Sequence, residues 1–187
     1  MNMRKLILNE MLTLDGVMES PEKWSMPYQN DEIAQANQAG MRASDATLLG
    51  RVTYEIFAAF WPLQTDDKTG IKDYLNNVSK FVVSSTLKKA DWVNTTILSG
   101  PLVEEITKLK QQAGKDIVVT GSATLAQALM QADLVDEYSL MVFPIVLGSG
   151  KRLFKDGINK NLKLIESKVF SSSVALLSYR PDKKESK

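Results

Sequence analysis

Apolar and polar positions along this chain switch between a two-residue and a helical period. Residues 4–13 (RKLILNEMLT) are rich in apolar side chains and predict a strand, and Leu14-Asp15-Gly16 turns out of it. Residues 17–30 (VMESPEKWSMPYQN) carry two prolines and no regular period, so a long loop is expected, of a kind that is often functional in a compact domain. Asn30-Asp31-Glu32 ahead of IAQANQAGMRA predicts a helix with a capping residue and acids in its first turn. Residues 46–50 predict a short strand and 52–60 the helix after it. A polar loop at 65–69 (TDDKT) leads to a short helix over 70–77. Residues 80–84 (KFVVS) form a strand with β-branched and aromatic side chains, Ser85-Thr86-Leu87 leave it, and 94–98 add another short strand. Residues 101–112 place apolar side chains at 102, 103, 106 and 109, which is helical spacing. Pro101 suits the first helical position and Gly114 the stop. A strand over 116–120, a helix over 124–131 and a strand over 135–142 follow.

This alternation predicts an α/β fold with parallel strands. The pattern then breaks. Residues 162–170 and 174–180 read as two strands joined by Ser171-Ser172-Ser173, an antiparallel hairpin. The expectation is a mixed, mostly parallel sheet with an antiparallel C-terminal edge. No repeat or linker divides the chain, so one domain over 1–180 is expected, followed by a polar tail at 181–187 (PDKKESK).

Composition narrows the chemistry more than the fold. The 187 residues, 44% hydrophobic and 24% charged, suit a single ordinary core. Lys and Arg number 23 against 22 Asp and Glu, for a net charge of +1, without the basic excess of a nucleic-acid binder. The N-terminal apolar run is broken by Asn9 and Glu10, which does not fit a signal peptide, and no run reaches the length of a membrane span. A cytoplasmic protein is the expectation, with neither nucleic acid nor membrane as partner. There is no Cys and no His. Disulfides and thiolate chemistry are excluded, no metal site is expected, and the usual general base near neutral pH is missing. Catalysis would rest on carboxylates, hydroxyls, Lys, Arg, or a cofactor with its own chemistry.

Three clusters could hold phosphate groups. Gly50-Arg51 stands where a strand hands over to a helix; glycine lets a ligand approach the backbone, the helix offers unpaired N–H groups, and Arg51 can fork onto a phosphate. Ser84-Ser85-Thr86 end the next strand, and Thr120-Gly121-Ser122-Ala123-Thr124-Leu125 lie between a strand and a helix without forming a G-x-G-x-x-G fingerprint. Each has a plain reading as a turn. Together they gather at the carboxyl ends of predicted parallel strands, the edge where open α/β sheets bind ligands, and could hold a nucleotide cofactor. The run at 147–152 (LGSGKR) lacks the spacing of a nucleoside triphosphatase loop. Asp31 or Glu32 could donate a proton or anchor a substrate if buried, or simply complement the helix dipole. Trp24 could close over a substrate or pin the long loop to the core. Asp15-Gly16 could shape a loop over a nicotinamide or be an ordinary turn.

The segments LTLDGVM (12–18), LLGRVTYE (48–55), KFVVSSTL (80–87), VVTGSATLAQALMQADLVDEY (118–138) and PIVLGSGKRLF (144–154) together resemble the dihydrofolate reductase superfamily. The resemblance is closer to the reductase domain of bifunctional riboflavin-biosynthesis proteins, in its small single-domain bacterial form, and runs from residue 5 to about 180. It implies a three-layer fold, an eight-stranded mostly parallel sheet flanked by helices, with NADPH across the carboxyl edge. It further implies that Gly50, Arg51, Val52 and Thr53, helped by Ser84, Ser85 and Thr86, take the 2′-phosphate side, with Arg51 selecting NADPH over NADH. Gly121, Ser122, Ala123, Thr124 and Leu125 would meet the pyrophosphate, and Leu14, Asp15 and Gly16 would lie near the nicotinamide. Asp31 is the nearest match to the pterin-anchoring acid, with Glu32 beside it; Ser122 and Val119 stand where these families often carry a second glycine and an acid. The implied activity is NADPH-dependent hydride transfer to a small imine or carbonyl compound, pterin-like or ribosylaminopyrimidine-like; Trp24, read from the residues alone, is the candidate substrate contact. The alternative is a nucleotide-binding stress or regulatory protein without turnover. A homodimer, common in this family, would suit an apolar face on the C-terminal hairpin.

Overall fold

The computed structural model describes residues 3–67 and 69–182. The expected polar tail falls outside them from residue 183 onward, as does Lys68 of the 65–69 loop. Eight strands form one sheet: β1 (Leu6–Thr13), β2 (Ser44–Gly50), β3 (Ser79–Val83), β4 (Thr95–Leu98), β5 (Asp116–Val119), β6 (Glu137–Phe143), β7 (Leu162–Val169) and β8 (Ala175–Pro181). Their order is β4-β3-β2-β5-β1-β6-β8-β7. The first six run parallel, β8 is antiparallel to β6, and β7 is antiparallel to β8. The expected mixed, mostly parallel sheet with an antiparallel C-terminal hairpin is therefore present.

Among the described residues five α-helices complete the layers: α1 (Asp31–Ala43), α2 (Arg51–Phe60), α3 (Ile71–Asn77), α4 (Leu102–Gln111) and α5 (Ala123–Gln131). Asn30 caps α1, its side chain accepting from the Ile33 N–H at 3.0 Å. Pro101 is the capping residue of α4 rather than its first helical residue, because its ψ of 127° is extended and Leu102 begins the turn. The sixth strand begins at Glu137, two residues later than expected, because the turn out of α5 runs to Leu134, whose N–H bonds to the Leu129 carbonyl.

Alternation within the strands assigns the faces. Leu6, Leu8, Leu48, Ile117 and Val119 pack on one face against Ile106 and Leu109 of α4 and Leu125, Ala126 and Leu129 of α5. On the other face Leu49 and Val82 meet Tyr54 of α2 and Leu75 of α3, while Met141 and Phe143 meet Ile33 of α1. Lys80 is fully buried on this second face. Its ammonium donates to the Leu75 and Val78 carbonyls at 2.7 and 2.9 Å and lies 4.6 Å from the Trp92 ring, and burial pushes its pKa down to about 8. It closes the C-terminal end of α3, where the helix dipole favours a cation.

The two faces fix where a ligand could sit. From β2 the chain leaves through α2 on one face; from the neighbouring β5 it leaves through α5 on the other. Helices α2 and α5 therefore diverge from the carboxyl edge to opposite faces, and the crevice above their turns is the position that ligands occupy in sheets of this kind. At the far edge β7 exposes Leu164, Ile165 and Val169. No helix among the described residues is long and apolar enough to cross a membrane.

Candidate functional site

The sheet order brings the predicted clusters side by side. Along the carboxyl edge the ends of β3, β2, β5 and β1 present Ser84–Thr86, Gly50–Thr53, Gly121–Thr124 and Leu14–Gly16 in succession. At the crevice the second and third clusters touch. The Gly50 N–H bonds to the Gly121 carbonyl at 3.3 Å. A β-carbon on Gly50 would stand 2.3 Å from Ser122 Oγ, and one on Gly121 would stand 2.7 Å from Thr53 Oγ1. Gly121 also has φ +54°, a conformation side chains disfavour. Glycine at both turns thus lets them pack directly against each other, with both glycines buried.

The helix N-termini differ in what they leave free. No side chain caps α2 at Gly50, so its first-turn N–H groups remain available. In α5, Ser122 Oγ accepts from the Leu125 N–H at 3.4 Å, and the Leu125 side chain is buried in the core. Leu125 therefore serves the helix, and the first-turn N–H groups of Ala123 and Thr124 are left without a side-chain cap. Arg51 is exposed and paired with Glu55 one turn on, at 2.9 Å. Val52 is exposed beside it. Ser84 Oγ accepts from the N–H groups of Thr86 and Leu87 at 3.2 and 2.9 Å and shapes its own turn, leaving Ser85 and Thr86 exposed.

At the β1 end, Asp15 fastens two loops. Its carboxylate takes the Thr13 hydroxyl at 2.6 Å and the N–H groups of Leu147 and Gly148 at 3.2 and 2.9 Å. Arg152 Nε donates to the Asp15 carbonyl at 2.9 Å, and its guanidinium lies 3.5 Å from the carboxylate. The Thr13 bond, followed by those from the 147–148 backbone, holds the Asp15 pKa down to about 2. The 147–152 run is thus a brace for the Leu14–Gly16 turn rather than a phosphate loop. Leu14 itself is exposed.

The three remaining sequence candidates lie further along, near the β6 end. Trp24 is buried; its indole packs edge-on against Phe143 at 5.3 Å between centroids and donates to the Glu19 carbonyl at 2.9 Å. That geometry pins the long loop to the core. Asp31 is exposed. Glu32 accepts from the Ser171 N–H at 2.7 Å and from its hydroxyl at 2.5 Å, and these bonds hold its carboxyl below the usual range. It ties α1 to the β7–β8 turn as a carboxylate, so neither acid is the buried proton donor that the sequence allowed.

The buried acid is Glu10. It follows Leu6 and Leu8 in the core-facing phase of β1, and its Oε1 accepts from the Gly121 N–H at 2.7 Å. Burial pushes its pKa up to about 8, against a smaller lowering by that bond. Sequence reasoning noted Glu10 only as an interruption of an apolar run; its phase with Leu6, Leu8 and Leu12 was the usable signal.

Comparison with known proteins agrees with this fold. Residues 4–176 match the RibD C-terminal domain family. The chain is 31% identical over 183 residues to Bacillus subtilis YyaP, an uncharacterized protein, covering 94% of each chain. Among solved structures, one from Shewanella sp. PV-4 named for riboflavin biosynthesis superposes with a TM-score of 0.78 at 23% identity, covering 96% of this chain and 99% of the other. The Thermotoga maritima diaminohydroxyphosphoribosylaminopyrimidine deaminase/5-amino-6-(5-phosphoribosylamino)uracil reductase gives 0.67 at 17% identity; 96% of this chain corresponds to 57% of that one. Enterococcus faecalis dihydrofolate reductase, complexed with NADP(H), gives 0.64 at 14%, covering 95% and 96%. At these identities the structures establish a shared dihydrofolate reductase-like fold. With the family match spanning nearly its whole length, the chain belongs to the RibD C-terminal domain family.

Proposed function

We propose that this protein is an NADPH-dependent reductase of a small imine or carbonyl compound, of the pterin or ribosylaminopyrimidine kind. The observation that carries the reading is the meeting of the Gly50 and Gly121 turns at the carboxyl edge, packed so closely that a side chain on either glycine would collide with the opposite turn, which brings two helix N-termini together at the floor of the crevice. It fits a diphosphate held by backbone N–H groups and two helix N-termini. The four clusters span three strand spacings, about 14–15 Å, which suits an extended dinucleotide. Arg51 takes the 2′-phosphate. Its exposed pair with Glu55 is worth only about 0.3–0.5 kcal/mol, whereas a charge-assisted bond to phosphate contributes about 1.5–3 kcal/mol, so the pair yields to the ligand. Leu14–Gly16, braced by the 147–152 loop, shape the nicotinamide end. NADPH supplies the hydride, which is how a chain without His or Cys can catalyse a reduction. The proton reaches the substrate from water, and Asp31, exposed at the same edge, orients it. A homodimer through the exposed β7 face belongs to the same proposal.

The test is a titration of NADPH and NADH against the wild type and Arg51→Ala. NADPH should bind about 10–100-fold more tightly than NADH, and the substitution should erase the preference. Absence of binding of either nucleotide at several hundred micromolar would refute the reading. One observation favours nucleotide binding without turnover: the acids at the start of α1 are exposed or committed to Ser171. A screen of imines and carbonyls that consumes no NADPH, with tight binding intact, would select that alternative.

A further inference from the structure

Glu10 is a buried carboxyl for which the sequence offered no role, and it touches the candidate site from behind. It projects from β1 toward α5, with Leu8 and Leu12 as its neighbours on that face of the strand. Its contact is the N–H of Gly121, the residue whose turn forms one wall of the crevice. The elements around it carry little charge. On β6 the residue opposite is Leu140, and the titratable side chain nearest in register is the buried Tyr138, whose hydroxyl burial pushes up to about 12. The α5 sequence, ATLAQALMQ, has no charged residue. Thr53 on α2 and Ser122 at the turn are neutral. The loop beside α5 carries Lys151, Arg152, Lys155 and Asp156; Lys151 is paired with Glu19, and Arg152 with Asp15. Burial and the Gly121 bond alone set the proton affinity of Glu10.

A neutral carboxyl here accepts the Gly121 bond without placing charge behind the turn. An ionised one puts a full negative charge, scarcely screened, one peptide away from the crevice. We infer that Glu10 is a positioning residue that gates the crevice by its protonation: as the neutral acid it holds the Gly121 turn open to a diphosphate, and as the carboxylate it repels one. The inference rests on the reading of the crevice as a dinucleotide site. Since burial raises the Glu10 pKa to about 8, the open form prevails at neutral pH and is lost in mild alkali. By reciprocity, a bound diphosphate raises the proton affinity of Glu10 further.

Glu10→Gln keeps the shape and a carbonyl acceptor for Gly121 but cannot ionise. Three readouts test the inference on the full chain. The backbone amide resonance of Gly121 should titrate with a midpoint near pH 8 in the ligand-free wild type and stay flat in Glu10→Gln. NADPH affinity should fall about tenfold or more between about pH 6.5 and 9.5 in the wild type, and less than about twofold in the variant. Adenosine 2′-monophosphate, which lacks a diphosphate, should bind the wild type equally across that range, excluding general alkaline unfolding. If no nucleotide binds at any pH, the dinucleotide reading falls and this proposal with it. If NADPH binds but ignores pH, or weakens equally in both proteins, the gate is refuted and the cofactor reading stands. A Gly121 amide that does not titrate in the wild type refutes the gate as well.

Discussion

Replacing Gly50 with alanine tests whether the β2–α2 and β5–α5 turns are in contact. Gly50 has φ −76°, which alanine adopts freely, so the backbone itself contributes a small gain in stability rather than a loss. Any loss is steric. The new methyl would stand 2.3 Å from Ser122 Oγ, 3.1 Å from Ser122 Cβ and 3.3 Å from its backbone nitrogen. The hydroxyl can rotate away, but it then gives up its bond to the Leu125 N–H and uncaps α5, and the remaining contacts force the two turns apart. The expected cost is about 1–3 kcal/mol, the range for an overpacked site. Urea unfolding at unchanged m-value would read it, as would a Tm lowered by about 2–4 °C per kcal/mol in a domain of this size. Ser122→Ala removes the worst contact, so Gly50→Ala should cost about 0.5–2 kcal/mol less in that background than alone. A Gly50→Ala protein within about 0.5 kcal/mol of the wild type, with no coupling to Ser122→Ala, would show that the turns do not meet and would remove the crevice from the argument.

Three further outcomes follow from the structure. In Asp15→Asn only one acceptor oxygen remains for the Leu147 and Gly148 N–H groups, which now use different carboxylate oxygens, so hydrogen exchange at those two amides should quicken; unchanged protection would refute the brace. Because the Asp15 pKa is depressed from 3.8 to about 2, the contribution of the wild-type brace should be present above about pH 4 and fade as pH falls toward 2. Trp24→Ala should destabilise the protein by about 3–5 kcal/mol in urea unfolding, as expected for a buried aromatic, and a loss under about 1 kcal/mol would mean that the long loop is not pinned to the core there.

What the sequence disclosed divides by range. The strands, the capping of α1 by Asn30 and the glycine turns at 50 and 121 are local, written within a few residues by period and turn chemistry, and they were legible. The brace was not, although both of its halves attracted notice: Asp15 and the 147–148 backbone lie 132 and 133 residues apart, and no local rule pairs them. The acids at the start of α1 misled for a physical reason. A helix N-terminus favours acids whether or not chemistry follows, and exposure, which decides between the two, is not local information. For Trp24 the same holds: its composition suits a lid or a core, and only the position of Phe143 decides.

Glu10 marks the boundary between the two kinds of information. An acid in phase with Leu6, Leu8 and Leu12 on a strand that lies between two others has to be buried, and a buried carboxyl needs a hydrogen-bond partner or a proton. That much follows from the period of two together with a central position for β1. What does not follow is the identity of the partner. Leu8 pairs with Val119 across β1 and β5, so the register brings residue 10 opposite residue 121, just where β5 has ended and the N–H of Gly121 has no strand partner. The same register that ends the β5 ladder at Val119 therefore frees that N–H and supplies the side chain that satisfies it. A one-residue slip between β1 and β5 would turn Glu10 to the other face and leave the Gly121 N–H unpaired. The acid thus specifies the register of the central strands as well as the state of the turn, and an apolar residue at position 10 could do neither.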